Sequence, residues 1–186
     1  MMRRREVVKK LLEDRGDLLV IAGLGSTAWD ITAAGDSPLS FPLWGAMGQA
    51  AMMGLGLALA QPQRRVLVIT GDGEMLMGLG SLATIGAQQP ANLTIVVIDN
   101  EHYGETGMPS THTAHGIDLN AIAGGCGLKI CAFERLREAI HSQPGPNFAT
   151  IKVEAEKLPL VLPPREGALL KARFRRALLG PGADAI

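Results

Sequence analysis

One stretch limits what this chain can fold into more than any other: Val66 to Asn100, VLVITGDGEMLMGLGSLATIGAQQPANLTIVVIDN. Val66 to Thr70 and Leu93 to Ile98 are short apolar runs rich in β-branched residues, the pattern of parallel strands buried on both faces. Between them, Met75 to Ala87 carries apolar residues at helical spacing. Strand, helix and strand form one βαβ unit. Such crossovers are almost always right-handed, so both strands deliver their C-terminal ends to the same sheet edge. Ligands of open α/β sheets bind at that edge, and Asp72 and Asn100, which follow the two strands, are expected to face one crevice.

The residues at those two strand ends have the chemistry of a phosphate and metal cradle. The glycines of Gly71-Asp72-Gly73 permit backbone angles and a close approach that a side chain forbids, and the helix after them offers unpaired N–H groups to an anion. Asp72 and Asn100 present hard oxygen donors suited to Mg²⁺ or Ca²⁺. Mg²⁺ in particular combines one or two protein oxygens with phosphate oxygens and water. Taken singly, Gly-Asp-Gly reads as an ordinary strand-to-helix turn and Asp-Asn as an ordinary strand end. Their pairing across a helix-length insert makes the reading specific.

With 186 residues the chain is expected to form one domain, residues 1–186, long enough to bury roughly 70% of its unfolded surface. A formal net charge of zero gives no electrostatic reason to expect nucleic acid or a membrane surface as a partner. Cys126 and Cys131, the only cysteines, match no zinc or redox spacing and read as buried packing thiols. The opening MMRRREVVKKLLEDRGD holds no apolar targeting run, so a cytoplasmic setting is expected.

Elsewhere, Arg3 to Asp14 places Val7, Val8, Leu11 and Leu12 on one helical face, and Asp17 to Ala22 is an apolar strand. Gly23-Leu24-Gly25-Ser26 reads as a turn, with Ser26 expected to cap a helix over Thr27 to Ala34. Ala50 to Ala60 is apolar or small on every side, which predicts a helix buried all round, against a second domain or subunit. With Gln49 it is too polar, and with its glycines too Gly-rich, for a membrane span, which needs about 20 apolar residues. Glu101 to Gly116 is a polar loop of the kind that carries function at a sheet edge. Its Glu101 and Glu105 read as solvated or paired with a partner chain. Further helices are expected over Leu119 to Cys126, capped by Asp118, and over Glu134 to His141 and Glu166 to Leu179. Strands are expected over Gly127 to Cys131 and Phe148 to Val153. The fold class is α/β, a doubly wound domain with a mostly parallel sheet of about six strands. Lys171, Arg173, Arg175 and Arg176 give the last helix a basic face, read as solvated or as a docking surface.

Gly-Asp-Gly closing one strand and Asp-Asn closing the next resembles the signature of the thiamin diphosphate-dependent enzymes. Trp44-Gly45-Ala46-Met47-Gly48 resembles the segment that precedes that signature. The Gly80-Ser81-Leu82-Ala83-Thr84-Ile85 stretch, Thr106-Gly107 and the Leu-Pro connector before the last helix extend the likeness. It is greatest to the β subunit, or the C-terminal half, of sulfopyruvate and phosphonopyruvate decarboxylases. The resemblance implies a thiamin diphosphate-binding fold and, specifically, the diphosphate-binding (PP) half of the site. It assigns cofactor binding to Gly45, Ala46, Met47, Gly71, Asp72, Gly73, Glu74, Asn100, His102, Tyr103 and Gly104. The metal falls to Asp72, Asn100 and the backbone carbonyl of His102. Met47 would be the wedge between the two cofactor rings, and the Gly45 carbonyl would accept a hydrogen bond from the aminopyrimidine.

In that family the aminopyrimidine end, with the glutamate that protonates it, belongs to a different domain. The chain is therefore expected to be inactive alone and to work in a hetero-oligomer with a pyrimidine-binding α-type subunit. The implied reaction is Mg²⁺-dependent decarboxylation of a small 2-oxo acid, a carbon–carbon lyase reaction whose chemistry the cofactor carries. His112 and His115 are the catalytic candidates, because imidazole moves protons near neutral pH, although loop histidines are also commonly just solvated. Two departures bear on the substrate. No Lys or Arg lies between Val66 and Leu128, so a sulfonate or phosphonate would need a cation from the partner or a protonated histidine. Glu74 stands where the family has a small residue and is expected to turn away from a diphosphate that it would repel. A carboligase or acyl-transferring subunit, and a non-catalytic cofactor-binding subunit, are the alternative readings.

Overall fold

A computed structural model describes residues 1–142 and 144–184. Six strands pair into one sheet: β1 Leu19–Ala22, β2 Ser40–Pro42, β3 Val66–Gly71, β4 Leu93–Asp99, β5 Lys129–Ile130 and β6 Asn147–Lys152. Every pairing is parallel and the order is β2-β1-β3-β4-β6-β5. From β1 the chain runs outward to β2, then returns to place β3 on the other side of β1. This reversal is a switch point, where the connections leave in opposite directions and open a crevice beyond the strand ends. β2 is short and ends in Pro42, which an edge strand tolerates.

The sheet is buried on both faces. Leu19, Ile21, Val66, Val68, Leu93, Ile95 and Val97 point to one side. There they meet α3 (Ala50–Ala60), α5 (Ser81–Gln88), α6 (Leu119–Gly125) and α8 (Gly167–Leu179). Val20, Leu67, Ile69, Val96 and Ile98 point to the other, against α1 (Arg4–Leu11), α2 (Ser26–Ala33) and α7 (Leu136–His141). This is the doubly wound arrangement that the apolar runs imply. On the second face a buried ion pair joins α1 to α2: Arg4 Nε lies 2.5 Å from Asp30 Oδ2 and Arg5 Nε 3.1 Å from Oδ1.

The structure corrects several local expectations. The helix expected over Met75 to Ala87 is two helices, α4 (Asp72–Met77) and α5, broken at Gly78-Leu79-Gly80. Gly78 lies so close to another segment that a Cβ on it would sit 2.0 Å from the Gly48 carbonyl oxygen. Backbone contact, together with the low helix propensity of glycine, sets the break. Ser26 does not cap α2. The N-cap is Gly25, and Thr27 Oγ1 instead donates to the Gly23 carbonyl at 2.7 Å. Asp118 caps α6 as expected, accepting from the amides of Asn120 and Ala121. The strand expected over Gly127 to Cys131 shrinks to two exposed edge residues.

In the single chain α3 is covered on one side, and the burial expected on its other side calls for a second domain or subunit. Gly54, Leu55 and Ala58 are buried, but Gly56 and Ala60 are exposed, as is Leu59 at 52%. Its apolar outer side is solvent-facing in the single chain. Cys126 and Cys131 are free and half-buried. Arg173 of the basic helix pairs with Asp36 at 2.6 Å. Among the described residues no helix is long and apolar enough to cross a membrane.

The two glycines of α3 give opposite expectations for the same substitution. A Cβ at Gly54 would lie 2.2 Å from Val68 Cγ2, whereas one at Gly56 meets nothing within 4 Å. Gly56→Ala is expected to stabilise the fold by up to ~1 kcal/mol through helix propensity. Gly54→Ala should lose about 1–3 kcal/mol by overpacking. Urea unfolding of the two variants checks the opposite signs.

Candidate functional site

The cleft at the switch point has about 630 Å³ of free space, including its open mouth. Gly71, Asp72 and Gly73, where β3 passes into α4, line it together with Leu24, Ser26 and Thr27 from the turn after β1. Asn100, His102, Tyr103, Gly104, Glu105 and Thr106 line it from the loop after β4, and Glu74, Ile98, Met47 and Arg4 line it as well. Gly73 admits the ring of Tyr103, since a Cβ there would lie 2.5 Å from Tyr103 Cε1.

Asp72 is only 2% exposed. Its Oδ2 accepts the hydroxyl of Thr111 at 2.5 Å and lies 3.3 Å from that of Thr113. Thr113 Oγ1 is also 2.8 Å from Asp99 Oδ1, and the two hydroxyls are 2.9 Å apart. Asp99 Oδ2 pairs with Lys152 Nζ at 2.9 Å, and Lys152 reaches Glu101 at 2.5 Å. Glu101 is therefore paired within the chain. Burial pushes the Asp72 carboxyl above its ordinary pKa and the negative charge of Asp99 adds to this, while the bonds from Thr111 and Thr113 pull it back. Among the described residues no cation pairs with Asp72.

Asn100 stands across the cleft. Its Oδ1 accepts the His102 amide at 3.1 Å, and His102 Nδ1 lies 2.8 Å from the Asn100 carbonyl. His102 then pairs with Ser110, and Tyr103 N donates to Pro109 O at 2.9 Å, which turns the loop back on itself. The amide oxygen keeps a second lone pair. A buried carboxylate lacking a cation and a neutral oxygen beside the same cleft fit a hard divalent cation that takes its remaining ligands from phosphate and water. The glycine-lined floor leaves room for an anion to approach the backbone.

Glu74 is 5% exposed and, against the expectation that it turns away, lines the cleft; its Oε2 accepts the Thr70 hydroxyl at 3.0 Å, and Oε1 is buried without a hydrogen-bond partner among the described residues. Burial raises its pKa, and Thr70 together with the amides of Ala50, Leu24 and Gly48 opposes the rise. Gly45 and Ala46 are exposed next to Met47 and are not among the residues lining the cleft. His112 and His115 are also exposed and outside the lining. On the same loop it is Thr111 and Thr113 that turn inward, to Asp72. Sequence reasoning passed over both threonines, although the alternation Thr111-His112-Thr113 was the available signal. It also missed Arg4, which brings a cation to the cleft from outside the Val66–Leu128 stretch, its charge shared with Asp30.

The chain matches the thiamine pyrophosphate enzyme family, C-terminal TPP binding domain, over residues 25–151. It is 41% identical over 137 residues to sulfopyruvate decarboxylase subunit beta of Methanocaldococcus jannaschii, covering 73% of this chain and 72% of that protein. To the subunit of the same name from Methanococcus maripaludis it is 34% identical over 184 residues, covering 94% and 97%. Its fold is similar to that of benzoylformate decarboxylase from Polynucleobacter necessarius, with a TM-score of 0.66 at 20% identity. That likeness covers 85% of this chain but 34% of the solved one, so the chain spans about a third of that structure.

Carboxyls with raised pKa values favour the protonated folded state. Asp72 and Glu74 therefore support stability below the ordinary carboxylate range, near pH 4, and this support is lost as pH rises through their raised values. Asp72→Asn, which keeps an acceptor for Thr111 and removes the charge, is expected to raise the Tm of the metal-free chain at pH 7 by about 2–4 °C, the scale of 1 kcal/mol in a chain of this length. Melting curves from pH 4 to 8 should show the gap to wild type widening with pH; a lower Tm for the variant at pH 7 would contradict the electrostatic account.

Proposed function

The chain belongs to the thiamine pyrophosphate enzymes, as their C-terminal TPP-binding domain, and we propose that it is the diphosphate-binding, β-type subunit of a 2-oxo acid decarboxylase. The cofactors are thiamin diphosphate and Mg²⁺, and the reaction is of the sulfopyruvate or phosphonopyruvate decarboxylase type. The observation that carries this is the buried Asp72 without a cation, facing Asn100 across a glycine-floored cleft at the switch point. In this reading Asp72, Asn100 and the His102 carbonyl hold the metal. Gly71, Gly73 and Gly104 admit the diphosphate, and Tyr103 packs over Gly73. Met47, with Gly45 and Ala46 beside it, shapes the space for the rings. Glu74 contributes through its place on the floor, its carboxylate being held by Thr70.

Thiamin diphosphate, when bound, supplies the electron sink that lets CO₂ leave a 2-oxo acid. The chain's own residues bind and orient. Thr111 and Thr113 aim the Asp72 carboxylate, as outer-shell partners do for metal ligands generally. His112 and His115 face solvent in the single chain, so a role in holding or moving a proton requires a substrate presented from a partner's side. The relatives' designation as subunit beta supports such a partner, a pyrimidine-binding α-type subunit in a hetero-oligomer. The exposed apolar side of α3, with Leu59, and the nearby exposed Met77 of α4 offer it a surface. Arg4 is a cation of the cleft already engaged by Asp30, so a second strong negative charge on the substrate calls on the partner. The setting is cytoplasmic, and residues 1–186 act as one domain.

Calorimetry with Mg²⁺ and thiamin diphosphate tests the reading. Binding is expected with the partner subunit present and not with the chain alone. Asp72→Ala should abolish it, and Thr111→Val should weaken it about 10- to 100-fold. Unchanged affinity in Asp72→Ala would favour a subunit that has kept the fold without the site. CO₂ release from a panel of 2-oxo acids, with and without an acceptor aldehyde, separates the decarboxylase from a carboligase.

A further inference from the structure

Of the three groups proposed to hold the metal, two, the Asn100 side chain and the His102 carbonyl, stand on either side of Glu101. The backbone of Glu101 is left-handed, with φ of 62°, a conformation that a residue carrying a Cβ rarely takes. The turn it makes sets which way its two neighbours face. Backbone of this kind persists only where its surroundings over-determine it.

Glu101 is held at its N–H, its C=O and its carboxylate. The amide donates to Asp99 Oδ1 at 3.0 Å, and the carbonyl accepts the Thr111 amide at 2.8 Å. The carboxylate accepts Lys152 Nζ at 2.5 Å. Lys152 is the register partner of Asp99 on the neighbouring strand β6, and its ammonium also lies 2.9 Å from Asp99 Oδ2. One ammonium thus ties together the residues before and after Asn100. Asn100 Oδ1 in turn accepts the His102 amide at 3.1 Å, across the Glu101 turn. Asp99 is buried, whereas Lys152 and Glu101 reach solvent, and an ion pair at the surface adds little to global stability. Its consequence here is local, because the residue it holds is the one whose backbone sets both neighbours.

We infer that Lys152 is a positioning residue: by stapling Glu101 to Asp99 it holds the left-handed turn that brings Asn100 and His102 to the same cleft. Glycine takes such a turn without help, having no Cβ. The staple's use to a metal rests on the proposed function; the staple itself does not.

Two substitutions at one residue separate the turn from the side chain. Glu101→Ala removes the anion that Lys152 holds and keeps the Cβ; Glu101→Gly removes both. Amide hydrogen exchange on the metal-free chain together with its partner subunit is the first readout. At His102 and Thr111, Glu101→Ala is expected to exchange roughly 2- to 5-fold faster than wild type, the scale of an exposed ion pair, with α6 unchanged. Glu101→Gly should recover most of that loss. Lys152→Met, which also strips Asp99 of its cation, should loosen the same amides at least as much as Glu101→Ala; if it does not fold, the two Glu101 variants decide alone. Calorimetric titration of Mg²⁺ into the same complex, at saturating thiamin diphosphate, should rank the variants in the same order, with Lys152→Met weakened about 10-fold, as for other groups that orient a metal ligand. Unchanged exchange in Glu101→Ala, an equal acceleration in α6, or Glu101→Gly behaving no better than Glu101→Ala overturns the inference. Absence of cofactor binding by the wild-type complex sinks the proposed function, while exchange at His102 and Thr111 still judges the staple.

Discussion

The parallel pairing of β1 with β3, on either side of a reversal in strand order, is the constraint from which the rest of the molecule follows. Parallel strands bring all their C-terminal ends to one edge. The reversal sends the connections after β1 and β3 apart and leaves a cleft between them. The turn at Gly23, the turn at Gly71 to Gly73 and the end of β4 at Asp99-Asn100 all hang from that edge. They are close enough together that glycine is required at the contacts. A Cβ would lie 1.8 Å from Glu74 at Gly23, 2.5 Å from Tyr103 at Gly73, and 2.0 Å from the Gly48 carbonyl at Gly78.

Electrostatics then divides the labour among the buried carboxylates. Asp99 and Asp72 are joined through the hydroxyls of Thr111 and Thr113, but only Asp99 has a cation, Lys152. Asp30 has two, Arg4 and Arg5. Burying an ionised carboxylate without a partner is costly, and such a group persists where something other than stability retains it. Asp99 and Asp30 are thus parts of the scaffold, whereas Asp72 faces the cleft with its charge uncompensated. Glu74 occupies a middle position, buried like a structural residue yet answered by a single hydroxyl, its Oε1 having no hydrogen-bond partner among the described residues.

Strands β1, β3, β4 and β6 and the Gly-Asp-Gly and Asp-Asn ends were legible because their signals are local, whereas the three-residue β2, ending in Pro42, was not expected. A buried parallel strand needs an unbroken apolar run, and a strand-to-helix turn needs glycine where the backbone is crowded. Asp118 was legible as a cap for the same reason. The break between α4 and α5 was not, because Gly78 is set by Gly48, a residue far away in the chain. The open side of α3 is a different case: its composition calls for burial, and within one chain that side is left for another molecule to cover.

Local chemistry therefore settled from residue order alone that the chain makes a parallel α/β sheet carrying an oxygen-donor and glycine cradle at one edge, since apolar period and turn residues act over a few positions. Tertiary structure decided which side chains serve that cradle. Thr111 and Thr113 turn inward while His112 turns out, Arg4 arrives from the first helix, and Glu74 lodges between Thr70 and Gly23. Hydrogen bonds and charges act across a few ångströms of space regardless of separation along the chain, and only the folded sheet brings these groups within that range.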